Sequence, residues 1–222
     1  MVIVGGGVIG LQAAWQAAQR GFAVTLIDRG GPVRGGCSFG NVGMIVPSHF
    51  IPLAAPGAVG TALKWMFNPR SPFYIKPRLD ADLIRWAYDF WRNANDAHVR
   101  RAAPLLAELH LASRAEYLEL AKRPGVDFGL VERGLLMLCK SQHALDEEAA
   151  VAERGRAWGI PANVLTPAQL AELEPGISFD VAGAVHFPKD AHFTPERLMA
   201  ALQQLAAGLG AQFRWQTEVT GW

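Results

Sequence analysis

The sequence has only two cysteines, Cys37 and Cys139, among its 222 residues. Two thiols are too few for a disulfide framework and are typical of a reducing compartment, so we expect a cytoplasmic protein in which both thiols are free. No apolar run reaches the roughly 18 to 20 residues that a spanning helix needs. The first residues lack a basic leader and are interrupted by glycines, which indicates a strand and turn and not a signal peptide. Any membrane contact is therefore expected to be peripheral.

Charge is also scarce. Charged residues make up 18% of the chain and the formal net charge is +1, so no bulk charge points to nucleic acid or to an acidic substrate. Six histidines are present, and none has a partner at a spacing typical of metal ligands. We predict no nucleic-acid partner and no metal site.

Acidic residues are absent from the whole stretch 29–79, which carries six basic residues, namely Arg29, Arg34, Lys64, Arg70, Lys76 and Arg78. Frequent prolines predict loops with at most short helices in this stretch. Trp65, Met66 and Phe67 lie among the basic residues, which leaves two interpretations open, peripheral contact with a membrane or a buried apolar cluster.

The chain opens with a β-α-β pattern. Residues 1–4 form a short β-branched run, apolar positions from Val8 to Ala18 have helical spacing, and Gly21 stands where a left-handed helix cap is wanted. Residues 22–27 then predict a second strand. This unit builds parallel sheets with right-handed crossovers.

The helices and strands after residue 79 are predicted from weaker sequence signals. The sequence predicts packing helices over 80–92 and 104–122, a helix over 144–158, and two helices that begin after the cap signals at Thr166 and Thr194, the second reaching about residue 207. Strands are predicted at 128–130, 134–139, 184–187 and 211–215.

Gly5, Gly7 and Gly10 form a G-x-G-x-x-G motif between the first strand and the first helix. The first glycine allows a tight turn, the second lets the backbone approach a pyrophosphate, and the third permits close contact between helix and strand. Asp28 follows at the end of the second strand, where its carboxylate can accept hydrogen bonds from ribose hydroxyls. The pattern predicts dinucleotide binding, the alternative being a glycine-rich structural turn.

The motif alone does not separate NAD from FAD, because a carboxylate at Asp28 serves the adenosine ribose of either and repels only the 2′-phosphate of NADP. A simple nicotinamide domain continues with another regular helix and strand. Here the chain enters a glycine- and proline-rich loop and then residues 37–44, Cys-Ser-Phe-Gly-Asn-Val-Gly-Met. Such a loop can surround a flat ring with backbone amides and favours a flavin.

The sequence resembles the D-amino-acid oxidase-like superfamily of FAD enzymes, and within it the bacterial D-amino-acid dehydrogenases. The residues that carry this resemblance are 2–10 (VIVGGGVIG), 38–45 (SFGNVGMI), 52–57 (PLAAPG) and 63–67 (LKWMF). The resemblance covers essentially the whole chain and implies an α/β fold with a Rossmann-like FAD-binding domain and part of an α+β substrate domain. The implied organisation is a first FAD-binding segment at 1–78, a helical connection with partial substrate domain at 79–189, and a returning FAD-binding segment at 190–222. Because family members are about twice as long, we expect an incomplete fold whose later half closes over the flavin.

The resemblance also implies the site. It places Ser38, Asn41, Gly43 and Met44 beside a non-covalent flavin, Val8 and Ile9 in the phosphate turn, and the backbone of Val219 at the adenine. Arg29 faces either the adenine side or solvent, and Arg34 either the pyrophosphate or solvent. His49 and His192 are candidates for the substrate pocket, with a structural hydrogen-bonding role as the alternative. In relatives the arginine that binds the substrate carboxylate is in the later half, so no catalytic residue is named.

The implied activity is oxidative deamination of D-amino acids by hydride transfer from the substrate Cα to flavin N5, with electrons passing to a quinone or another carrier. The expected location is the cytoplasm or the inner face of the cell membrane. Alternatives are a glycine or sarcosine oxidase that uses oxygen and a dehydrogenase of a cyclic imino acid such as D-hydroxyproline. An alternative of another class is a truncated flavin-binding module, and we expect the 222-residue chain alone to be inactive.

Overall fold

A computed structural model describes residues 1–33, 35–68, 70–71, 74–76, 78 and 80–221. The described elements, in chain order, are β1 (Val2–Val4), α1 (Val8–Gln19), β2 (Thr25–Ile27), β3 (Met44–Ile45), α2 (Ala58–Met66), α3 (Ala81–Asn93), α4 (Asp96–Ala121), β4 (Leu135–Cys139), α5 (Gln142–Arg156), β5 (Asn163–Leu165), α6 (Pro167–Leu173), β6 (Gly183–Phe187), β7 (Ala191–His192), α7 (Pro195–Gly208) and β8 (Gln212–Arg214).

The chain divides into two compact units. The first contains Met1–Ile45, Ala115–Gly134 and the described residues from Asp190 onward, and the second contains Val46–Arg114 and Leu135–Lys189. The boundary within α4 falls after Arg114. The described residues of 46–78, which the resemblance assigns to the first FAD-binding segment, group with the second unit. The functional domain limits stay a prediction.

The first unit is built on a parallel sheet in the order β1-β2-β8. Val2 pairs with Thr25, and Leu26 of β2 pairs with Phe213 of β8. Helices α1 and α7 pack on each other, and Leu11, Leu26 and Leu202 are almost fully buried between helices and sheet. The predicted β-α-β opening, the returning strand and the mixed α/β fold class are confirmed.

The first unit also contains the antiparallel pair of β3 and β7. The strand predicted at 128–130 is wrong. Gly129 has φ +67°, in the left-handed region, which interrupts extended backbone. Only Val131 beyond it pairs with the sheet, through two hydrogen bonds to His192 at 2.8 and 3.0 Å.

The second unit contains an antiparallel sheet in the order β4-β6-β5. One face of this sheet, with Val185 and Phe187, joins Phe50 and residues of α4 and α5 in a second core. Strand β5 was not predicted, because its three residues carry too short a pattern. Helix α6 begins at the predicted cap, where the Thr166 hydroxyl accepts from the Gln169 N–H and the Gln169 side chain accepts from the Thr166 N–H. The start of α7 was also predicted, but the Thr194 side chain makes no capping bond.

One predicted helix needs correction. Helix α4 begins at Asp96 and not at 104, so Pro104 lies inside it. Val99, Ala103 and Ala107 recur every four residues and are buried, which offsets the hydrogen bond that proline removes. Helix α3 has the predicted length and its Asp80 cap, and none of its residues is fully buried, although Leu83 and Phe90 are half-buried. Its role as a packing element stays a prediction.

Among the described residues, no helix is long and apolar enough to cross a membrane.

Candidate functional site

The glycine motif forms a tight turn between β1 and α1. Gly5 has φ +100° and donates its N–H to the Ile27 carbonyl at 2.8 Å. A Cβ on Gly10 would lie 1.8 Å from the Gly5 carbonyl oxygen. The first and third glycines therefore have the roles that the sequence predicts, a turn in the left-handed region and a close helix-strand contact.

The N-terminus of α1 presents backbone donors at this turn. The Val8 N–H donates to the Ser38 hydroxyl at 3.0 Å, so a residue thirty positions downstream caps the helix. The Ile9 and Gly10 N–H groups have no acceptor among the described residues. Free N–H groups and the positive end of the helix dipole make this end of α1 suited to an anion such as pyrophosphate. A Cβ on Gly7 would lie 3.2 Å from the Ser38 Oγ, which leaves little room for a larger residue.

Asp28, at the end of β2, forms hydrogen bonds to the glycine turn. Its Oδ2 accepts from the Gly6 N–H and its Oδ1 from the Gly30 N–H, both at 2.6 Å. A carboxylate has about four acceptor positions, so these bonds are compatible with further bonds to ribose hydroxyls. Asp28 is thus part of the turn's own architecture as well as a candidate ligand, which the sequence did not indicate.

Two adjoining cavities follow the carboxyl ends of β1 and β2 and share Val4 and Gly5. One, of about 330 Å³, lies along the glycine turn and the start of α1 and is lined by residues that include Gly7, Val8, Ile9, Gly10 and Ser38. The other, of about 280 Å³, is lined by residues that include Asp28, Arg29, Glu218 and Val219. In open α/β sheets ligands bind outside the carboxyl ends of the strands, where these cavities lie.

The segment after β8 closes the second cavity. The Thr217 N–H donates to the Asp28 carbonyl at 3.0 Å, and the Gln216 N–H donates to the Gly30 carbonyl at 2.9 Å. Gln216 has φ +53°, in the left-handed region. These bonds bring Val219 to the cavity that Asp28 also lines, and the contact of its backbone with adenine stays a prediction. Thr217 and Glu218 also line the cavity and were not singled out; their position next to Val219 was the available signal.

The predicted flavin loop is held by its own side chains. Asn41 donates from Nδ2 to the Cys37 and Ser38 carbonyls at 3.0 and 3.1 Å, and its Oδ1 accepts from the Gly43 N–H at 2.8 Å. Asn41 therefore shapes the loop. Cys37 is exposed. Arg34 lies outside the described residues.

Gly43 and Met44 connect this loop to β7. Gly43 has φ +62°, and a Cβ there would lie 2.1 Å from the Phe193 carbonyl oxygen, so only glycine fits. Met44 pairs with His192 across the antiparallel β3-β7 ladder, and both are exposed. The structure thus brings a predicted flavin neighbour and a candidate substrate residue together.

His49 belongs to the second unit. Its Nδ1 lies 2.9 Å from the Ser48 Oγ. Burial raises the pKa of Glu148, and the charge of His49 partly lowers it again, so the imidazole lies in the field of that carboxylate. The substrate roles of His49 and His192 stay predictions.

The residues around the two cavities fit the ADP half of FAD. Glycines without side chains leave space that a pyrophosphate would need, backbone N–H groups and the Ser38 hydroxyl line that space, and the Asp28 carboxylate lines the adjoining cavity, where a ribose is predicted. No group of three or more histidine, cysteine or acidic residues within the described part of the chain could hold a metal ion.

Comparison with known proteins agrees with this geometry. The chain is 33% identical over 222 residues to a D-amino acid dehydrogenase of Cereibacter sphaeroides, with 99% of this chain and 51% of the relative covered. It is 29% identical over 226 residues to a D-amino acid dehydrogenase of Neisseria meningitidis, with 99% and 53% covered. The chain thus spans about half the length of the curated relatives it matches.

Among solved structures, glycine oxidase from Geobacillus kaustophilus is similar with a TM-score of 0.67 and 26% identity, covering 98% of this chain and 46% of that one. The family described as FAD dependent oxidoreductase matches residues 1–222. FAD is the cofactor of that family. From its glycine turn, its strand-end cavities and this match over its whole length, the chain belongs to the FAD dependent oxidoreductases of the DAO family.

Proposed function

We propose that the native protein carrying this chain oxidatively deaminates D-amino acids with FAD. The observation that carries the proposal is the strand-end groove built by Gly5, Gly10 and Asp28, in a chain that is 33% identical to a D-amino acid dehydrogenase. When bound, the flavin supplies a two-electron oxidation by accepting hydride from the substrate Cα at N5.

The chain's own residues would bind successive parts of the cofactor along the groove. The N–H groups of Ile9 and Gly10 would donate to the pyrophosphate. The Ser38 hydroxyl, which accepts from the Val8 N–H, keeps a proton with which to donate to a phosphate oxygen. Asp28 would accept from the ribose hydroxyls, and the backbone of Val219 would contact adenine.

The loop that ends at Met44 would orient the flavin ring. Its conformation is set by the Asn41 bonds and by the close approach of Gly43 to Phe193, so little conformational freedom would be lost when the ring binds. We propose that His192, next to Met44 on the ladder, lies toward the substrate, and His49 is a second candidate. Whichever of the two lines the substrate pocket would orient the substrate by a hydrogen bond, and neither is assigned as a catalytic base.

Glycine oxidation is the second candidate function, favoured by the similarity to the glycine oxidase structure. Its electron acceptor would be oxygen. A dehydrogenase of a cyclic imino acid would use the same groove. A flavin-binding module without activity belongs to another class and would bind FAD without turning over any of these substrates.

The electron acceptor of the leading function is proposed to be a quinone or another carrier. A cytoplasmic location is proposed from the two free cysteines, Cys37 and Cys139. A location on the inner face of the cell membrane is proposed from Trp65, Met66 and Phe67 among basic residues.

The test measures turnover of the native protein with D-amino acids, their L enantiomers, glycine, sarcosine and D-hydroxyproline, each with an artificial dye and with oxygen. We expect dye reduction with D-amino acids, little with L-amino acids, and slower peroxide formation. The Asp28→Ala variant serves as a control for flavin dependence, because added excess FAD should restore part of its rate. Peroxide formed at the full rate from glycine would support the second candidate instead, and stoichiometric flavin without turnover would support the binding module.

A further inference from the structure

A cavity of about 620 Å³ lies within the first unit, between the C-terminal halves of α1 and α7 and the turn that follows α4. It shares no lining residue with the two cavities at the strand ends. Trp15, which lines it, lies two turns of α1 beyond Val8, or about 10 Å along the helix axis. The cavity is therefore separate from the groove in which FAD is proposed to bind.

The interior of this cavity is apolar. Trp15 and Ala201 belong to the core of the first unit, and Val126 and Leu205 are partly buried against that core. Trp15 is 4% exposed, and its indole N–H has no acceptor among the described residues. Buried donors in native proteins are nearly always paired, with water where the protein offers no acceptor. A ligand with an apolar body and an oxygen acceptor would suit this interior.

Arg123 gives the cavity its charge. Its guanidinium lies over the Trp15 ring, with Cζ 4.7 Å from the ring centroid. The backbone of Arg123 is fixed by the turn, because its N–H donates to the Leu120 carbonyl at 3.2 Å and its carbonyl accepts from the Val126 N–H at 3.1 Å. Among the described residues, no carboxylate pairs with Arg123 and no other charged side chain lines the cavity. A guanidinium over an aromatic ring keeps its in-plane N–H donors available, and their geometry matches the two oxygens of a carboxylate.

Two amides stand beside Arg123 on the exposed rim. Gln19 and Gln204 line the cavity, and neither side chain has a hydrogen-bond partner within the described part of the chain. The C-terminal ends of α1 and α7 also lie here, and the negative ends of their dipoles oppose an anion. The carbonyls of Ala17 and Ala206 already accept backbone N–H groups, however, so these ends are largely satisfied within the protein. The donors without a partner are those of the side chains.

We propose that this cavity binds a small organic carboxylate with an apolar side chain. The carboxylate would pair with the Arg123 guanidinium, and the apolar part would pack against Val126 and Leu205. The unpaired cation favours an anion over a neutral ligand, and the volume lies within the range of about 300 to 1,000 Å³ that is common for small-molecule sites. The proposal does not rest on the proposed enzymatic function, because the cavity shares no residue with the FAD groove.

The test is calorimetric titration of the native protein with isocaproate, its neutral amide isocaproamide, and acetate. We expect isocaproate to bind about tenfold more tightly than either, since the amide lacks the charge and acetate lacks the apolar side chain. Arg123→Gln should raise the Kd for isocaproate by about tenfold to a hundredfold and leave that for isocaproamide unchanged. Isocaproate that binds only at the flavin would perturb the flavin absorbance and would bind Arg123→Gln with the parental Kd, which would overturn the proposal.

Arg20→Gln is the matched control, because Arg20 is exposed at the end of α1, does not line the cavity and donates to the Gln16 carbonyl. It should keep the parental Kd. Gly208→Leu tests the volume, since Gly208 lines the cavity and a Cβ there would meet nothing within 4 Å. It should weaken the binding of isocaproate and of isocaproamide alike, and circular dichroism should confirm that all variants are folded.

The proposal is wrong if the parent binds isocaproate no more tightly than acetate, or if Arg123→Gln retains the parental Kd. It is equally wrong if Arg20→Gln loses as much affinity as Arg123→Gln. Binding would then depend on the net charge of the protein and not on this cavity.

Discussion

Replacing Gly10 by alanine would place a methyl carbon 1.8 Å from the carbonyl oxygen of Gly5 and 3.0 Å from its carbonyl carbon. Both atoms are backbone, so no side-chain rotation can relieve the contact. The start of α1 must move away from the turn until the closest distance reaches about 3.4 Å. Because the displaced N–H groups are the ones that face the cavity beside Ser38, stability and FAD affinity should fall together.

The magnitudes follow from overpacking and from lost hydrogen bonds. Overpacking of this kind costs about 1 to 3 kcal/mol, which at this chain length corresponds to a decrease in Tm of about 2 to 12 °C. Displacing one hydrogen bond to a charged phosphate costs about 1.5 to 3 kcal/mol, so the Kd for FAD should rise about tenfold to a hundredfold. Thermal unfolding followed by circular dichroism and titration with FAD measure the two effects.

Gly208→Ala is the matched control. Gly208 ends α7 in the same unit, and a Cβ there would meet nothing within 4 Å. Its Tm should be unchanged or slightly higher, because alanine favours helix over glycine by up to about 1 kcal/mol. A Gly10→Ala protein with parental Tm and parental FAD affinity would refute the assignment of this turn to the pyrophosphate.

Three further changes test the site and the second unit. Asp28→Ala should raise the Kd for FAD by about tenfold to a hundredfold, since it removes a charged acceptor, and unchanged affinity in a calorimetric titration would remove Asp28 from the site. Ser38→Ala leaves the Val8 N–H without its acceptor and should lower the free energy of unfolding by about 0.5 to 2 kcal/mol. Ser38→Thr keeps a hydroxyl and should retain most of the parental stability. Equal losses for the two variants in denaturant titrations would contradict the capping role. Burial raises the pKa of Glu148, so the stability that its protonated form contributes is present below its ordinary value of 4.5 and is lost as the pH rises through the raised value. Glu148→Gln should therefore raise the free energy of unfolding near pH 7, and this increase should disappear in acid. Glu147→Gln, on the exposed part of the same helix, is the control. An identical increase from Glu147→Gln would show that burial of Glu148 is not the cause.

The opening of the first unit could be predicted because its signals are local. A β-branched run, a glycine turn, helical apolar spacing and Gly21 at the helix end each depend on neighbouring residues only, and β1, α1 and β2 follow in that order. The cap at Thr166 is local in the same way. Predictions failed where distant contacts override local preference, as at Pro104, which burial of Val99, Ala103 and Ala107 keeps within α4.

Within the site, the sequence by itself determined which residues can approach a phosphate and a ribose, since that depends on glycine's missing side chain and on a carboxylate at a strand end. Only the tertiary structure decided that Ser38 caps α1, that Asp28 bonds to Gly6, and that Val219 lies beside Asp28. These contacts join residues 22 to 191 positions apart, and their geometry depends on the pairing of β1, β2 and β8, which no local pattern encodes. The exposure of α3 has the same origin. An amphipathic pattern determines that a helix has an apolar face, whereas the packing of the rest of the chain decides whether that face is covered.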